Sequence, residues 1–200
     1  TDKTFNQDSV YSSSDFCDAQ NGNCTVVLGV NWTANKYTIS YSLGGGSYGT
    51  NHPTSASYNS SISISNPTRT GYKFTGWKIT GMDSTTHTYG SNTTTSTSIS
   101  STTATSFKNL RSTSGTVTFT AQWKDTTAPT ISMSKSSSTT LCKGATVKLT
   151  CSDSGSGMKQ AYMNDNGTVT TGTSTTSQSF NTTRSGNIST YVKCTDKAGN

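Results

Sequence analysis

The chain contains no glutamate and few charged residues of any kind. All nine acidic residues are aspartates, and only 12% of the 200 residues are charged. Because glutamate is among the better helix formers, its absence argues against long helices. No apolar run approaches the length of about 18 residues that a membrane span needs. The composition therefore excludes long helices and membrane insertion of these residues.

Apolar residues are also scarce, at 28% of the chain, while serine and threonine abound. Such a balance is compatible with disorder, since little burial is left to offset chain entropy. The alternative is a thin β-architecture whose outer faces carry hydroxyl groups. Aromatic and β-branched residues recur here in alternating runs, which are typical of strands. The pattern predicts an all-β protein made of small modules.

The chain has only two histidines, His52 and His87, and both stand in serine- and threonine-rich stretches predicted to be loops. A serine or cysteine nucleophile needs a histidine base and an orienting acid, and neither histidine lies near a recognisable nucleophile motif. Zinc would need paired cysteines or neighbouring histidines, which the spacing does not provide. We expect no enzymatic activity and assign no catalytic residue.

The net charge of +6 comes mostly from lysines spread along the chain. A nucleic-acid-binding protein would show a basic stripe with aromatic platforms, so nucleic acid is not an expected partner. The charge supports weak attraction to an anionic cell wall. The chain opens at Thr1 without a methionine or an apolar leader. We expect a mature or excised fragment whose export signal or wall anchor lies outside it.

The densest cluster of aromatic residues lies in the stretch 66–77, Asn-Pro-Thr-Arg-Thr-Gly-Tyr-Lys-Phe-Thr-Gly-Trp. Pro67 and Gly71 predict a turn. After it, Tyr72 and Phe74 alternate with polar residues, and the alternation resumes with Trp77 beyond a glycine break. This period of two predicts a half-buried strand whose aromatic face belongs to the core.

Two further segments accompany this stretch in a recognisable order: Lys-Tyr-Thr-Ile-Ser-Tyr-Ser-Leu-Gly-Gly-Gly from Lys36, and Thr-Val-Thr-Phe-Thr-Ala-Gln-Trp from Thr116 to Trp123. Together the segments resemble the internalin-type B-repeat, also called the Listeria-Bacteroides repeat, from about Lys36 to Lys124. The resemblance implies a β-grasp-like, non-catalytic module of a bacterial cell-surface protein. It therefore implies an extracellular location, at the cell surface or cell wall, and is silent about the ligand.

The segment Thr25–Trp32 matches Thr116–Trp123 position for position, and Phe16 then falls on Phe107. Residues 1–34 are accordingly predicted to be the end of a preceding B-repeat, with residues 35–124 the complete one, as in a tandem array. The alternative is a single irregular β-domain, in which residues 1–34 would pack into the same core as the rest.

Inside the repeat, alternation from Tyr37 to Leu43 predicts a first strand, and the glycines at 44–46 predict a turn. A phosphate cradle is disfavoured there because no helix or Lys-Ser/Thr signature follows. Ile62 and Ile64 predict a short second strand. In residues 81–106 only one weak strand is predicted, near 96–100.

The remaining residues, 125–200, resemble a bacterial immunoglobulin-like surface domain. The resemblance rests on the run Asp-Thr-Thr-Ala-Pro-Thr-Ile from Asp125, on Cys-Ser-Asp-Ser-Gly-Ser-Gly-Met from Cys151 and on Cys-Thr-Asp-Lys-Ala-Gly-Asn from Cys194. It implies a β-sandwich in which these segments mark strands A, B and F. The last strand, G, is not expected within these residues.

Five cysteines in a chain with a surface-protein pattern suggest an oxidising compartment. The immunoglobulin-like resemblance implies a disulfide between Cys151 and Cys194 across the sandwich. Cys17 and Cys24 flank the turn before Trp32 and are predicted to pair. Cys142 is left over, either free or paired outside the chain.

Asp125 lies in the predicted linker, and Asp153 and Asp196 lie in predicted turns at the ends of the sandwich. Calcium binds six to eight hard oxygens that such loops can supply. The alternative role is to cap the turns by accepting backbone N–H bonds. The sequence leaves both roles open and implies no other cofactor.

The function expected from these observations is that of an extracellular stalk or adhesin segment. Expected partners are a host or neighbouring-cell surface protein or glycan, and flanking repeats of the same polypeptide. An alternative is a ligand-binding module with Tyr48, Tyr58 and Tyr89 as exposed contacts. Another is the accessory region of a secreted hydrolase.

Overall fold

The computed structural model describes residues 33–134, 147–165, 168–172, 177–182 and 190–200. In these ranges the chain is all-β and contains no helix. Its contacts divide it into Thr1–Thr33 and Ala34–Asn200. The predicted strand at 25–32 and the proposed repeat end at 1–34 lie outside the described residues, apart from the last two positions. The domain boundaries at 34/35 and 124/125 stay predictions.

Fifteen strands are present in the described ranges: β1 (Lys36–Ser42), β2 (Ser55–Ser57), β3 (Ser61–Ser63), β4 (Tyr72–Thr80), β5 (His87–Tyr89), β6 (Asn92–Thr94), β7 (Ser98–Thr102), β8 (Ser106–Lys108), β9 (Thr116–Asp125), β10 (Thr130–Met133), β11 (Val147–Ser152), β12 (Met158–Asp165), β13 (Thr168–Gly172), β14 (Ser177–Thr182) and β15 (Thr190–Asp196).

The largest sheet has five strands in the order β2-β1-β9-β4-β7. Its centre is a parallel pair, β1 with β9, in which Thr38 lies opposite Thr116. Strand β4 pairs antiparallel with β9 and shifts register between Phe74 and Gly76. The glycine break seen in the sequence is thus a β-bulge, which lets one strand carry an extra residue.

Apolar and polar side chains alternate along these strands, so one face of the sheet is buried. Tyr37 and Ile39 of β1 are buried, as are Val117 and Phe119 of β9 and Trp77 of β4. A smaller sheet, in the order β3-β8-β5-β6, contributes to the same core. The core consists of thirteen buried residues: Tyr37, Ile39, Ala56, Ile64, Trp77, Ile79, Met82, Ile99, Phe107, Leu110, Val117, Phe119 and Ala121.

The turn predicted after β1 is present. The N–H of Gly46 donates to the carbonyl of Leu43 over 3.1 Å. Gly44 and Gly45, between them, have φ angles of +56° and +87°. Positive angles at both central positions define a type I′ turn, which strongly favours glycine there.

The segment from 81 to 106 holds more structure than the sequence predicts. Besides β7, which covers the weak strand expected near 96–100, it contains β5 and β6. His87 is the first residue of β5 and is fully buried, so its assignment to a loop was wrong. Its ring nitrogens lie 2.6 Å and 2.7 Å from the carbonyl oxygens of Asn109 and Asp83. His87 therefore links three chain segments.

Residues beyond β9 form two three-stranded sheets, β10-β11-β14 and β13-β12-β15, and every pairing in them is antiparallel. Their described core is small. Cys151, Met158 and Ala161 are buried in it, with Val192 and Cys194 packed against them. Within the described ranges no helix is long and apolar enough to cross a membrane.

Candidate functional site

The three aspartates named from the sequence converge at the ends of three strands. Asp125 is the last residue of β9, Asp153 follows β11, and Asp196 is the last residue of β15. One carboxylate oxygen of each lies within 4.8 Å of one from each of the others. We call these three residues the acidic cluster. All three are buried, with exposed fractions of 4%, 5% and 0%.

Two members of the acidic cluster accept several hydrogen bonds. Asp125 accepts from the N–H of Thr127 over 2.9 Å and from the N–H of Ser156 over 2.6 Å. Asp196 accepts from the N–H groups of Gly199 and Asn200, both over 2.7 Å, and from the Asn200 side chain. Turn capping, one of the two roles left open by the sequence, is thus visible in the geometry.

These hydrogen bonds also keep two carboxylates charged. The N–H of Thr127 lowers the pKa of Asp125 below its ordinary 3.8, and this outweighs burial and the nearby Asp196 charge. Burial raises the pKa of Asp196, but hydrogen bonds from Asn200 and its neighbours lower it by more. Both groups are therefore ionised at neutral pH, so negative charge is concentrated where little solvent reaches.

Asp153 differs from its two neighbours. Its described contacts include a single hydrogen bond, from the N–H of Gly157 to Oδ2, and none to Oδ1. Oδ1 is not fully buried, because the only fully buried side-chain polar atoms without a partner in the described residues are Tyr37 OH and Trp77 Nε1. The bond from Gly157 is itself a turn cap, and Oδ1 keeps its lone pairs available to a ligand.

The loop between β11 and β12 fits closely over Asp125. A Cβ atom on Gly155 would clash with Asp125 Oδ2. Asn200 adds a second link, because its side-chain amide donates to the carbonyl of Asp125 over 3.0 Å. Hydrogen bonds thus join the end of the first sheet to the turns of the later strands.

The sulfur atoms of Cys151 and Cys194 are bonded, and their Cα atoms lie 6.0 Å apart. The bond joins β11 to β15, which belong to different sheets. Cys17, Cys24 and Cys142 lie outside the described residues, so the predicted Cys17–Cys24 pair and the odd cysteine stay predictions.

The three candidate ligand-contact tyrosines do not share one environment. Tyr48 is 53% exposed, and its ring stacks on His52 with centroids 4.5 Å apart. Tyr58 is half-buried, and Tyr89 is half-buried and packs against the first core. The expectation that all three are exposed was therefore wrong for Tyr58 and Tyr89, and a role of the three tyrosines in ligand contact stays a prediction.

Asp83, a half-buried aspartate outside the acidic cluster, has a structural role that the amino-acid sequence did not reveal. Asp83 accepts hydrogen bonds from the N–H and the hydroxyl of Ser112, over 2.7 Å and 3.0 Å, and from the N–H of Thr85. Burial raises its pKa, but these bonds lower it further, to a net value below 3.8. Asp83 fixes the loop before β5 to the loop before β9.

Comparison with known protein families yields a match over part of the chain. Residues 37–103 match the Listeria-Bacteroides repeat domain. This range covers about a third of the 200 residues and ends before β9. No curated protein and no solved structure gives a significant match. Residues 37–103 are thus similar to a repeat that is found in extracellular bacterial surface proteins.

Proposed function

We propose that the chain is a non-catalytic, extracellular segment of a bacterial surface protein, which spaces or presents a binding region for adhesion. The observation that carries this proposal is the family match of residues 37–103. The Cys151–Cys194 disulfide supports it, because structural disulfides persist mainly outside the reducing cytosol.

Residues 125–200 are proposed to be an immunoglobulin-like sandwich. In the constant-type fold, strands A, B and E share one sheet, and C and F share the other. The order β10-β11-β14 corresponds to A-B-E, and the pairing of β12 with β15 corresponds to C with F. The disulfide between β11 and β15 would then be the B–F bond of that fold.

The spacing role is tested by surface display. The 200-residue chain is placed between a bacterial wall anchor and a terminal epitope tag, and antibody binding to the tag is measured on intact cells. We expect binding to exceed that of a control that joins anchor and tag directly, because the insert carries the tag away from the wall. An unchanged signal would contradict the spacing role.

The buried carboxylates favour a second function, calcium binding at the acidic cluster. Carboxylate oxygens are the ligands that calcium prefers, and the acidic cluster offers one from each of its three aspartates within 4.8 Å of one another. Calcium would also offset the repulsion among three buried carboxylates. Bound at the junction of β9, β11 and β15, it would stiffen the connection between the first sheet and the later strands.

Calcium is expected to raise the free energy of unfolding by about 2.7 kcal/mol at a hundredfold excess over its dissociation constant. Thermal unfolding with calcium and with chelator measures this effect. The matched pair of variants is Asp153→Asn, which removes a ligand of the acidic cluster, and Asp83→Asn, which removes an aspartate outside it. We expect calcium stabilisation to vanish in the first and persist in the second. Equal melting temperatures of the unsubstituted protein with calcium and with chelator would end the calcium proposal.

The calcium effect has a defined pH dependence. The folded pKa values of Asp125 and Asp196 lie below 3.8, so their charged forms stabilise the fold above that value. This contribution is lost as the pH falls through the lowered folded values. The calcium-induced shift should therefore be complete at pH 7, persist at pH 3.8, and disappear only as the pH falls further, through the lowered folded pKa values of Asp125 and Asp196.

A further inference from the structure

A depression of about 500 Å³ lies beside the glycine turn that follows β1, and its lining residue Tyr72 is the cross-strand neighbour of Asp125. It is lined by Gly45, Ser47, Thr68, Arg69, Thr70 and Tyr72. Sites for small ligands commonly enclose about 300–1,000 Å³. The lining carries four hydroxyl groups and one cation, and it has no carboxylate.

Arg69 is held in place by an aromatic ring. Its guanidinium carbon lies 3.6 Å from the centroid of the Tyr72 ring, well within the range of a cation–π contact. The glycine turn also lies close to it, because a Cβ on Gly45 would be 3.6 Å from Arg69 Nε. A guanidinium that stacks through its face keeps its N–H edge available for a planar acceptor.

That edge has no acceptor among the described residues. The backbone carbonyl of Arg69 accepts from the N–H of Tyr72 over 3.1 Å, but its guanidinium takes part in no described hydrogen bond or ion pair. The contrast is Arg111, whose guanidinium donates to the carbonyls of Gly81, Thr113 and Ser114 and so holds a loop together. Arg69 is half-buried and has no comparable structural partners.

We propose that this depression binds the carboxylate of an acidic sugar, such as a uronic acid, with Arg69 as its anchor. Arginine pairs with carboxylates through two parallel hydrogen bonds, which gives both affinity and orientation. The hydroxyls of Ser47, Thr68 and Thr70 match the hydroxyl-rich remainder of a sugar. The net charge of +6 favours approach of a polymer of such sugars. The site is separate from the spacing role and from calcium binding, and none of the three candidate tyrosines lines it.

The test is an NMR titration of the 200-residue protein with glucuronate, glucose and glucose 6-phosphate at fixed ionic strength. We expect glucuronate to shift the amide signals of the lining residues, with glucose at least about tenfold weaker because it lacks the charged group. Equal binding of glucose would overturn the proposal. Glucose 6-phosphate binding tenfold more tightly than glucuronate would overturn the assignment to a carboxylate.

Arg69→Gln should weaken glucuronate binding at least about tenfold, whereas Arg69→Lys should retain part of it, because charge persists without the planar fork. The matched control is Lys73→Gln, which removes one exposed charge nearby on β4 and leaves the depression intact. Unchanged amide signals outside the depression would show that the variants fold. An equal loss of glucuronate affinity in the Lys73 and Arg69 variants would show that only the overall charge matters, and this would overturn the proposal.

Discussion

Replacement of Trp77 by alanine is expected to destabilise the first core by about 3–5 kcal/mol, enough to unfold it in a marginally stable domain. Trp77 is 1% exposed and lies on β4 at the centre of an aromatic cluster. Its ring contacts Phe74, Phe119 and Tyr41, with centroids 5.2, 5.7 and 5.9 Å away. Alanine would leave a cavity that three rigid rings cannot fill. Calorimetric unfolding of the variant and of the unsubstituted chain measures the loss.

Two variants control this result. Trp77→Phe keeps a ring and removes an indole N–H that has no hydrogen-bond partner in the described structure, so it should cost less than the alanine variant. Lys78→Ala alters the exposed neighbour on the same strand and should change stability by less than about 0.5 kcal/mol. If Trp77→Ala cost no more than Lys78→Ala, the core described for the first sheet would be wrong.

Removal of the Cys151–Cys194 disulfide should produce an effect of similar size in the later strands. The bond closes a loop with a sequence separation of 43 residues, for which the chain-entropy estimate is about 4 kcal/mol. The small described core around Cys151 offers little else to compensate. The double variant Cys151→Ala, Cys194→Ala should therefore unfold at much lower denaturant concentration than the oxidised protein.

Cys142→Ser serves as the matched control, because it removes a different cysteine and leaves the Cys151–Cys194 bond in place. It should leave the unfolding midpoint of the later strands unchanged. Peptide mapping under non-reducing conditions gives an independent readout. A loss below about 1 kcal/mol in the double variant would show that the bond adds little to the stability of this region.

The strands that carry large apolar residues were predictable from sequence. The alternation of Tyr72, Phe74 and Trp77 around a glycine predicts β4, and β4 spans Tyr72–Thr80 with its bulge at that glycine. The alternation works for Phe74 and Trp77 because each is large enough for its burial to dominate the choice of face, whereas Tyr72 lies outside the first core and contacts Arg69.

Strands β5 and β6 were not predictable by the same argument. They consist mainly of threonine, asparagine and histidine, so no apolar face distinguishes strand from loop. Backbone pairing with β8 orders β5, and burial of His87 between two carbonyl groups accompanies it. Tertiary context of this kind leaves no periodic signal in the sequence.

The candidate sites were likewise predictable from the sequence only in part. Asp125 was predicted in a linker, and Asp153 and Asp196 in turns at the ends of the sandwich, which allowed their grouping as calcium ligands to be suggested. Their burial and the hydrogen bond from Asn200 depend on how two sets of sheets meet. Arg69 had no comparable signal, since its contact with Tyr72 is a property of the folded turn.

The parallel pair at the centre of the first sheet has a consequence for how the chain folds. Thr38 of β1 lies opposite Thr116 of β9, so the middle of the sheet forms only after a long intervening segment has been made. Contacts between such distant residues slow folding, because the loop must close before they can stabilise it. During synthesis, β1 and β4 can be joined in the sheet only after β9, its last strand, has been made. The family-matched segment 37–103 is consequently less than a folding unit, since it ends before β9, the strand that lies between β1 and β4 in the sheet.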